Sequence, residues 1–368
     1  MAHCDLTYQV ALSMLSGIGG KLGRQLISTF GSPKKVLEAS SQELIKTSCI
    51  GPKLSQSIIQ ERYDVLRRAE KEVQACTEKN ISILFYTDKD YPSRLRRLAD
   101  APILLYQRGE TDLNVHKVIS IVGTRAADQY GARIIQEFLE ELRQLEKLIV
   151  VSGMAYGIDI MAHREAIKQN IPTVGVMANG LDIIYPSVHK NTAIQMVNTS
   201  GCLLSENPLG TTPDASKFPA RNRIIAGMSD IVLVVQAKNK GGALITASFA
   251  NQYNVEVAAV PGNIHADNSQ GCHQLIQQHQ AHLITSAQEL CTLMNWQEGP
   301  PQAIQKKLFI ELSPEEALIH QHLSQKSMHM DELLSCTELT PGQLSNALLQ
   351  LEFNGILQTL PGKRYILK

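Results

Sequence analysis

The first 80 residues carry apolar positions at helical spacing and no strand-like run. Within them SGIGGKLGRQLI (Ser16–Ile27) returns as SCIGPKLSQSII (Ser48–Ile59), each copy a tight glycine turn followed by an apolar helix start. That pattern predicts a helical N-terminal domain over residues 1–80, SAM-like, with two helix-hairpin-helix repeats. Beyond residue 80 the texture changes to short runs rich in Val and Ile: ISILFY, ILLY, VISIVG, LIVVSG, PTVGVMA, CLLSE, DIVLVVQA and VEVAAVPG. Helical stretches separate these runs. Continuous apolar strands of this kind are buried on both faces, so residues 81–295 read as a Rossmann-like α/β domain, a doubly wound, mostly parallel sheet between helices. A weak linker, 296–312, leads to helix, helix, helix and hairpin over 313–368, the order of a winged helix. Ser313 with Glu316 forms a capping box, Thr340 and Pro341 start the third helix, Gly355 stops it, and Pro361-Gly362 joins two short strands.

Composition narrows the functional classes. The chain has 368 residues, 43% of them hydrophobic, which excludes a disordered protein, and 35 Lys+Arg balance 35 Asp+Glu. No global positive field draws it to nucleic acid or to an anionic membrane, so any anion site must be local. The N-terminal region holds 11 Lys+Arg against 8 Asp+Glu and residues 305–368 hold 6 against 7. The third helix of the winged helix, Pro341–Asn354, contains no Lys or Arg, which puts protein contact ahead of duplex reading for that module. Seven scattered cysteines (Cys4, Cys49, Cys76, Cys202, Cys272, Cys291, Cys336), without CxxC or metal-ligand spacing, read as small buried residues in a reducing compartment. The N-terminus shows no leader pattern and no run approaches a membrane span, so a cytoplasmic protein without metal or cofactor is expected.

In a doubly wound sheet, ligands bind at the carboxyl ends of strands near the switch in strand order. Four polar, glycine-containing segments fall there. In IVGTRAADQYG, Gly123 and Thr124 make the turn and Arg125 projects from it, suited to clamping a phosphate; the alternative is a surface Arg125 paired with Asp128. In VVSGMAYGIDIMAHREA, Gly153 and Gly157 bracket a second turn, Asp159 caps amides or orients Arg125, and His163 is a structural histidine before it is a general base. SKFPARNRIIAGMSD combines Lys217, Arg221 and Arg223 with Phe218 and Asn222 in a loop stiffened by Pro219. Cations beside an aromatic ring make a platform for single strands. Arg221 and Arg223, two apart, cannot share a helix face; one is free to meet nucleic acid and the other pairs with Asp182 or Glu206. In KNKGGALITASFA, Lys238, Lys240, Gly241 and Gly242 open a helix whose amides face the rim. The glycines of the N-terminal repeat have two readings of equal weight, a phosphate-facing hairpin or simple close packing. No GxSxG, Walker A, HExxH or paired-carboxylate motif is present, so no catalytic residue is assigned.

VGTRAADQYG, SGMAYGID, NGLDIIYP, SENPLG, FPARNRIIAGMSD, GGALITASFA and VAAVPGN occur in the order that characterises the DprA/Smf family of DNA-processing proteins, which the whole chain resembles. The resemblance implies single-stranded DNA binding without catalysis. It also implies a homodimer that protects incoming strands during natural transformation and loads the RecA recombinase while displacing single-strand binding protein. Carried over by motif, Gly123, Thr124 and Arg125 hold phosphate, Gly153 and Gly157 line the adjacent turn, and Lys217, Phe218, Arg221, Asn222 and Arg223 form the pocket. Thr124 stands where the family commonly has Ser, and VMANGLD replaces a more Gly-rich turn. The runner-up is a nucleotide phosphoribohydrolase with a PGGxGTxxE loop, of which GGALITAS lacks the Glu; a third reading is duplex binding through the winged helix.

Overall fold

The computed structural model describes residues 4–47, 50–296, 312–324, 328–354, 356–360 and 364–367. Cys49, most of the linker, Gly355 and the Pro361-Gly362 turn lie outside them. Residues 1–297 form one unit and residues 298–368 another.

The first unit opens with helices α1 (Asp5–Met14), α2 (Gly20–Phe30), α3 (Pro33–Glu38), α4 (Ser41–Ile45) and the long α5 (Pro52–Glu78). At one position of the glycine repeat the close-packing reading has a structural basis. At Gly20 a Cβ would lie 1.9 Å from the Ala101 carbonyl oxygen, so the start of α2 is pressed onto the backbone of the sheet region. That glycine serves close packing. Its counterpart in the second copy is Pro52, at the first position of α5, while the aligned pair Gly19 and Gly51, the N-caps of α2 and α5, both have nothing within 4 Å of such a position.

The sheet follows: β1 (Ile81–Phe85), α6 (Ser93–Arg96), β2 (Leu104–Arg108), β3 (Lys117–Val122), α7 (Gln129–Leu142), β4 (Leu148–Gly153), α8 (Ile158–Lys168) and β5 (Thr173–Met177). After these come α9 (Lys190–Asn198), β6 (Cys202–Ser205), α10 (Lys217–Gly227), β7 (Ile231–Val234), α11 (Gly242–Gln252), β8 (Glu256–Ala259), α12 (Gln270–Gln277), β9 (His282–Leu283) and α13 (Ala287–Leu293). The strand order is β1-β2-β6-β5-β4-β3-β7-β8-β9. Strands β6 to β9 in that order are parallel, whereas β1 and β2 pair antiparallel with each other and β2 with β6. All eight apolar runs are strands, so the mostly parallel doubly wound sheet is what the pattern implied. The ninth, β9, has two exposed residues and offers no periodicity to read. One face is covered by α10, α11 and α12 and the other by α7, α8 and α13, each with its own apolar core. Helices α1–α5 share a third core with β1, β2 and α9.

The second unit contains α14 (Pro314–Leu323), β10 (Met328–His329), α15 (Met330–Thr337), α16 (Pro341–Phe353), β11 (Leu357–Leu360) and β12 (Arg364–Leu367), with β10-β12-β11 antiparallel, a winged helix. Capping boxes at Ser313/Glu316 and Thr340/Gln343 start α14 and α16, and Ile319, Leu333, Leu344, Leu348 and Leu351 meet in its core. The cysteine expectation needs correction: Cys76, Cys202 and Cys272 are buried, but Cys4 and Cys336 are exposed, because each sits at a helix end facing solvent.

Backbone against backbone leaves little room for relaxation. Gly20→Ala is expected to cost about 1–3 kcal/mol by overpacking, and Gly51→Ala less than about 1 kcal/mol. Urea denaturation of both variants measures the contrast; equal losses would show that α2 does not rest on residues 100–101.

Candidate functional site

A groove of about 730 Å³ runs along the carboxyl ends of β3 and β7, where the strand order reverses. Its walls are the turn after β3, one face of α10 and the start of α11.

The β3 turn is stitched from both sides. Thr124 N–H donates to the Gln236 carbonyl (2.8 Å), and the Thr124 carbonyl accepts from Ile158 N at the start of α8 (3.2 Å). The Thr124 hydroxyl accepts from Ala126 N (3.2 Å) and tightens the turn. Gly157 makes this approach possible. It adopts φ +73°, and a Cβ there would lie 2.2 Å from the Thr124 carbonyl oxygen. Arg125 is thereby projected into solvent at the groove mouth, its guanidinium 5.7 Å from the centre of the Phe218 ring. The alternative pairing with Asp128 is not what forms. Asp128 caps α7 by accepting from Gly131 N (3.1 Å) and also accepts from Gln236 Nε2 (3.0 Å).

The cation-rich segment is not a loop but the helix α10, beginning at Lys217. Pro219 sits in its first turn, where a backbone N–H has no intrahelical acceptor to lose, so it starts the helix instead of breaking it. Helical spacing then separates the arginines. Arg223 pairs with Glu206 and donates to the Asp100 carbonyl (2.9 Å), while Asp182 instead accepts from Gly210 N. Arg221 turns inward and is only 6% exposed, donating to the carbonyl of Val176 and to Asn222 Oδ1. Its guanidinium faces the Asp159 carboxylate across Gly153, where a Cβ would lie 2.5 Å from both groups. Burial pushes the Asp159 carboxyl up, and the Arg221 charge opposes that shift. Gly153, Arg221 and Asp159 thus form the floor of the site. Lys217, half-buried, is absent from the groove lining, as is Arg223. Asn222 donates to the Gly242 carbonyl (3.2 Å) and ties α10 to α11.

On the opposite wall α11 begins at Gly241 and Gly242 with no side-chain cap, so its first amides are open between the exposed Lys238 and Lys240. Uncapped amides at the positive end of a helix dipole are an anion site when cations flank them.

Two aromatic residues were not singled out in the sequence. Tyr185, 46% exposed, lies 5.9 Å from Phe218, and Tyr156, 51% exposed, packs edge-on to His189. Arg125, Tyr185 and Phe218 shape a smaller slot beside the groove with Tyr156 at its edge. The available signal was NGLDIIYP, an aromatic residue in a loop that follows a strand. His163, by contrast, is a core residue. Nε2 contacts the Gly153 carbonyl (2.8 Å) and Nδ1 the Thr173 hydroxyl (2.7 Å). A neutral ring, donating from Nε2 and accepting at Nδ1, satisfies both atoms without a buried charge. Among the described residues no group of three or more His, Cys, Asp or Glu is placed to hold a metal, and no helix is long and apolar enough to cross a membrane.

Fold and site together define a doubly wound α/β protein with a cationic, aromatic-edged groove at its switch point, carried alongside a helical tandem and a winged helix. The chain belongs to the DNA recombination-mediator protein A family, whose model matches residues 82–295. The DprA winged helix domain matches residues 304–363 and a SAM-like helix-hairpin-helix tandem residues 10–62. Similar relatives include protein Smf of Synechocystis, 30% identical over 99% of both chains. DNA processing protein DprA of Streptococcus pneumoniae is 37% identical over 64% of this chain and 80% of its own. The X-ray structure of the pneumococcal DprA superimposes with a TM-score of 0.64 at 31% identity, covering 79% of this chain and 98% of that one. A structure of DNA processing protein A from Helicobacter pylori, described for its single-stranded DNA binding mode, gives 0.52 at 29% identity, covering 58% and 95%.

Burial holds His163 down to about 4, against an ordinary value of 6.5. The unfolded chain therefore binds the extra proton first, and stability is lost as pH falls from 6.5 toward 4, by up to about 3 kcal/mol at the acid end. His163→Gln, which keeps the donor to Gly153, should remove that acid dependence in urea denaturation. An unchanged pH profile would mean that the ring is accessible to protons in the folded state.

Proposed function

We propose that this protein binds single-stranded DNA in the groove between α10 and α11. The observation that carries this reading is one groove with a phosphate side and a base side. Arg125, Lys238, Lys240 and the open amides of α11 suit phosphates, while the exposed Tyr185 ring and the half-buried Phe218 ring beside it line the groove and its slot and suit stacking with bases. The single-strand binding mode described for the Helicobacter pylori relative supports it. The binding domain in this reading is residues 81–295, with the helical region 1–80 and the winged helix 313–368 as accessory modules and 296–312 as linker. The family resemblance adds a cytoplasmic homodimer that protects incoming strands in transformation and loads the RecA recombinase, displacing single-strand binding protein. RecA filament assembly on a strand coated with single-strand binding protein, with and without this protein, tests that step.

A binding role is favoured over nucleotide hydrolysis because, among the described residues, Asp159 is the one carboxylate lining the groove, and it is buried opposite Arg221. Cleaving a glycosidic bond calls for an acid and a base, and no second carboxylate stands nearby to share the work. Duplex reading by the winged helix is disfavoured by α16, PGQLSNALLQLEF, which has no cation for phosphates.

Three exposed cations imply about three neutralised phosphates and a log–log salt slope near about −2 for a single strand. In fluorescence anisotropy, oligothymidine should bind more tightly than duplex of the same length. Arg125→Ala and Lys240→Ala should each flatten the slope by about 0.7. Phe218→Ala and Tyr185→Ala should lose about 1–3 kcal/mol per stacked base and leave the slope unchanged. Equal affinity for duplex, or a slope untouched by Arg125→Ala, would refute the assignment.

A further inference from the structure

Helix α5 belongs to the N-terminal helical region, and its buried face runs through Ile58, Val65, Ala69 and Cys76. Glu72 interrupts this apolar row. A carboxylate is costly at such a position unless it answers a specific donor. The donor here is the backbone: Glu72 Oε1 accepts from Leu209 N at 2.7 Å. Burial raises the Glu72 carboxyl, and the neighbouring Asp182 charge raises it further. Beside it lies the buried Tyr106 hydroxyl, held well above its ordinary range by burial and by the neighbouring Glu72.

Leu209 lies in the loop that joins β6 to α10. The first half of that loop is pinned by Arg223 on Glu206, Asn207 Nδ2 on the Ala178 carbonyl (3.2 Å), Leu209 N on Glu72, Gly210 N on both Asp182 oxygens (3.0 and 3.1 Å) and Gly180 N on the Thr211 carbonyl (3.0 Å). The second half supplies Pro213 and Ala215 to the groove wall and runs directly into Phe218. Of these pins, only Glu72 comes from the helical region. It lies 137 residues away in sequence from the amide that it holds.

We propose that Glu72 is a positioning residue for the groove: by fixing Leu209 it sets the loop that carries the Pro213–Phe218 wall, so the helical region controls the groove's grip on a strand. This inference rests on the single-strand reading. It deepens that reading by assigning the N-terminal helices a role in the same site without requiring them to touch DNA.

The test uses the full chain with Glu72→Ala, Glu72→Asp and Glu72→Gln. Gln keeps an oxygen acceptor at the same reach without the charge, whereas Asp keeps the charge but is one methylene too short. Hydrogen exchange at residues 206–216 should quicken by about tenfold in the Ala and Asp variants and stay near wild type in the Gln variant. Oligothymidine affinity should fall about fivefold in Ala and Asp and return within about twofold in Gln. A merely structural loss of stability would not be rescued in this order, since Gln also removes the buried charge. Should the Ala variant fail to fold, the Asp and Gln pair decides alone. Faster loop exchange with unchanged affinity, or wild-type behaviour of the Asp variant, would overturn the proposal. A wild-type chain that does not bind oligothymidine would refute the single-strand reading instead, and exchange would then show separately whether Glu72 holds the loop.

Discussion

Three strand ends of a parallel sheet converge where β3, β4 and β7 deliver their turns to one place, and the rest of the site depends on how closely those turns pack. The Thr124 peptide is held between the Gln236 carbonyl and the Ile158 amide, and Gly157 at φ +73° is what lets the α8 turn come up against it. An L side chain at Gly157 would be strained in itself and would also collide with the Thr124 carbonyl, forcing the two turns apart. Arg125 would then no longer stand over Phe218. The cation is exposed, but its position is set by buried backbone hydrogen bonds, which gives a surface side chain a defined direction at low entropic cost.

Beneath the turn the electrostatics divide into two classes. Arg221 and Arg223 are cations used for construction. One is buried against Asp159 and the Val176 carbonyl, and the other is paired with Glu206. Arg221 lines the groove from its floor beside the buried Asp159, whereas the charge of Arg223, outside the lining, is answered by Glu206. Arg125, Lys238 and Lys240 are the cations at the surface of the groove, reinforced by the open end of α11. Counting cations in a motif therefore overstates its binding charge, since the helix that displays them also sequesters some of them.

Much of this was legible in the sequence because it follows from one-dimensional pattern. The eight apolar runs identify strands, and the glycine turns after VISIV and LIVVS point to the sheet edge at which the groove lies. What was not legible needed three dimensions. FPARNR reads as a loop because a proline interrupts it, and only the helix start at Lys217 shows that Pro219 falls where proline is tolerated. Tyr185 and Phe218 are far apart in the chain, and nothing local says that their rings meet. Gly19 and Gly20 are neighbours in the chain, yet Gly20 is packed on the Ala101 carbonyl and Gly19 is open, a difference that only the sheet region pressed against α2 reveals.

The zero formal charge takes on a definite meaning in this arrangement. A protein with a basic face attracts any polyanion, and its affinity is largely electrostatic and indiscriminate. Here the surface cations of the groove stand within one cleft, beside the rings of Tyr185 and Phe218. In the proposed single-strand role, discrimination rests mostly on stacking and on groove shape, both of which depend on the wall between Pro213 and Phe218. That places unusual weight on the hydrogen bonds behind the wall, because a small displacement there separates the rings from the phosphate side without altering any residue that touches the strand.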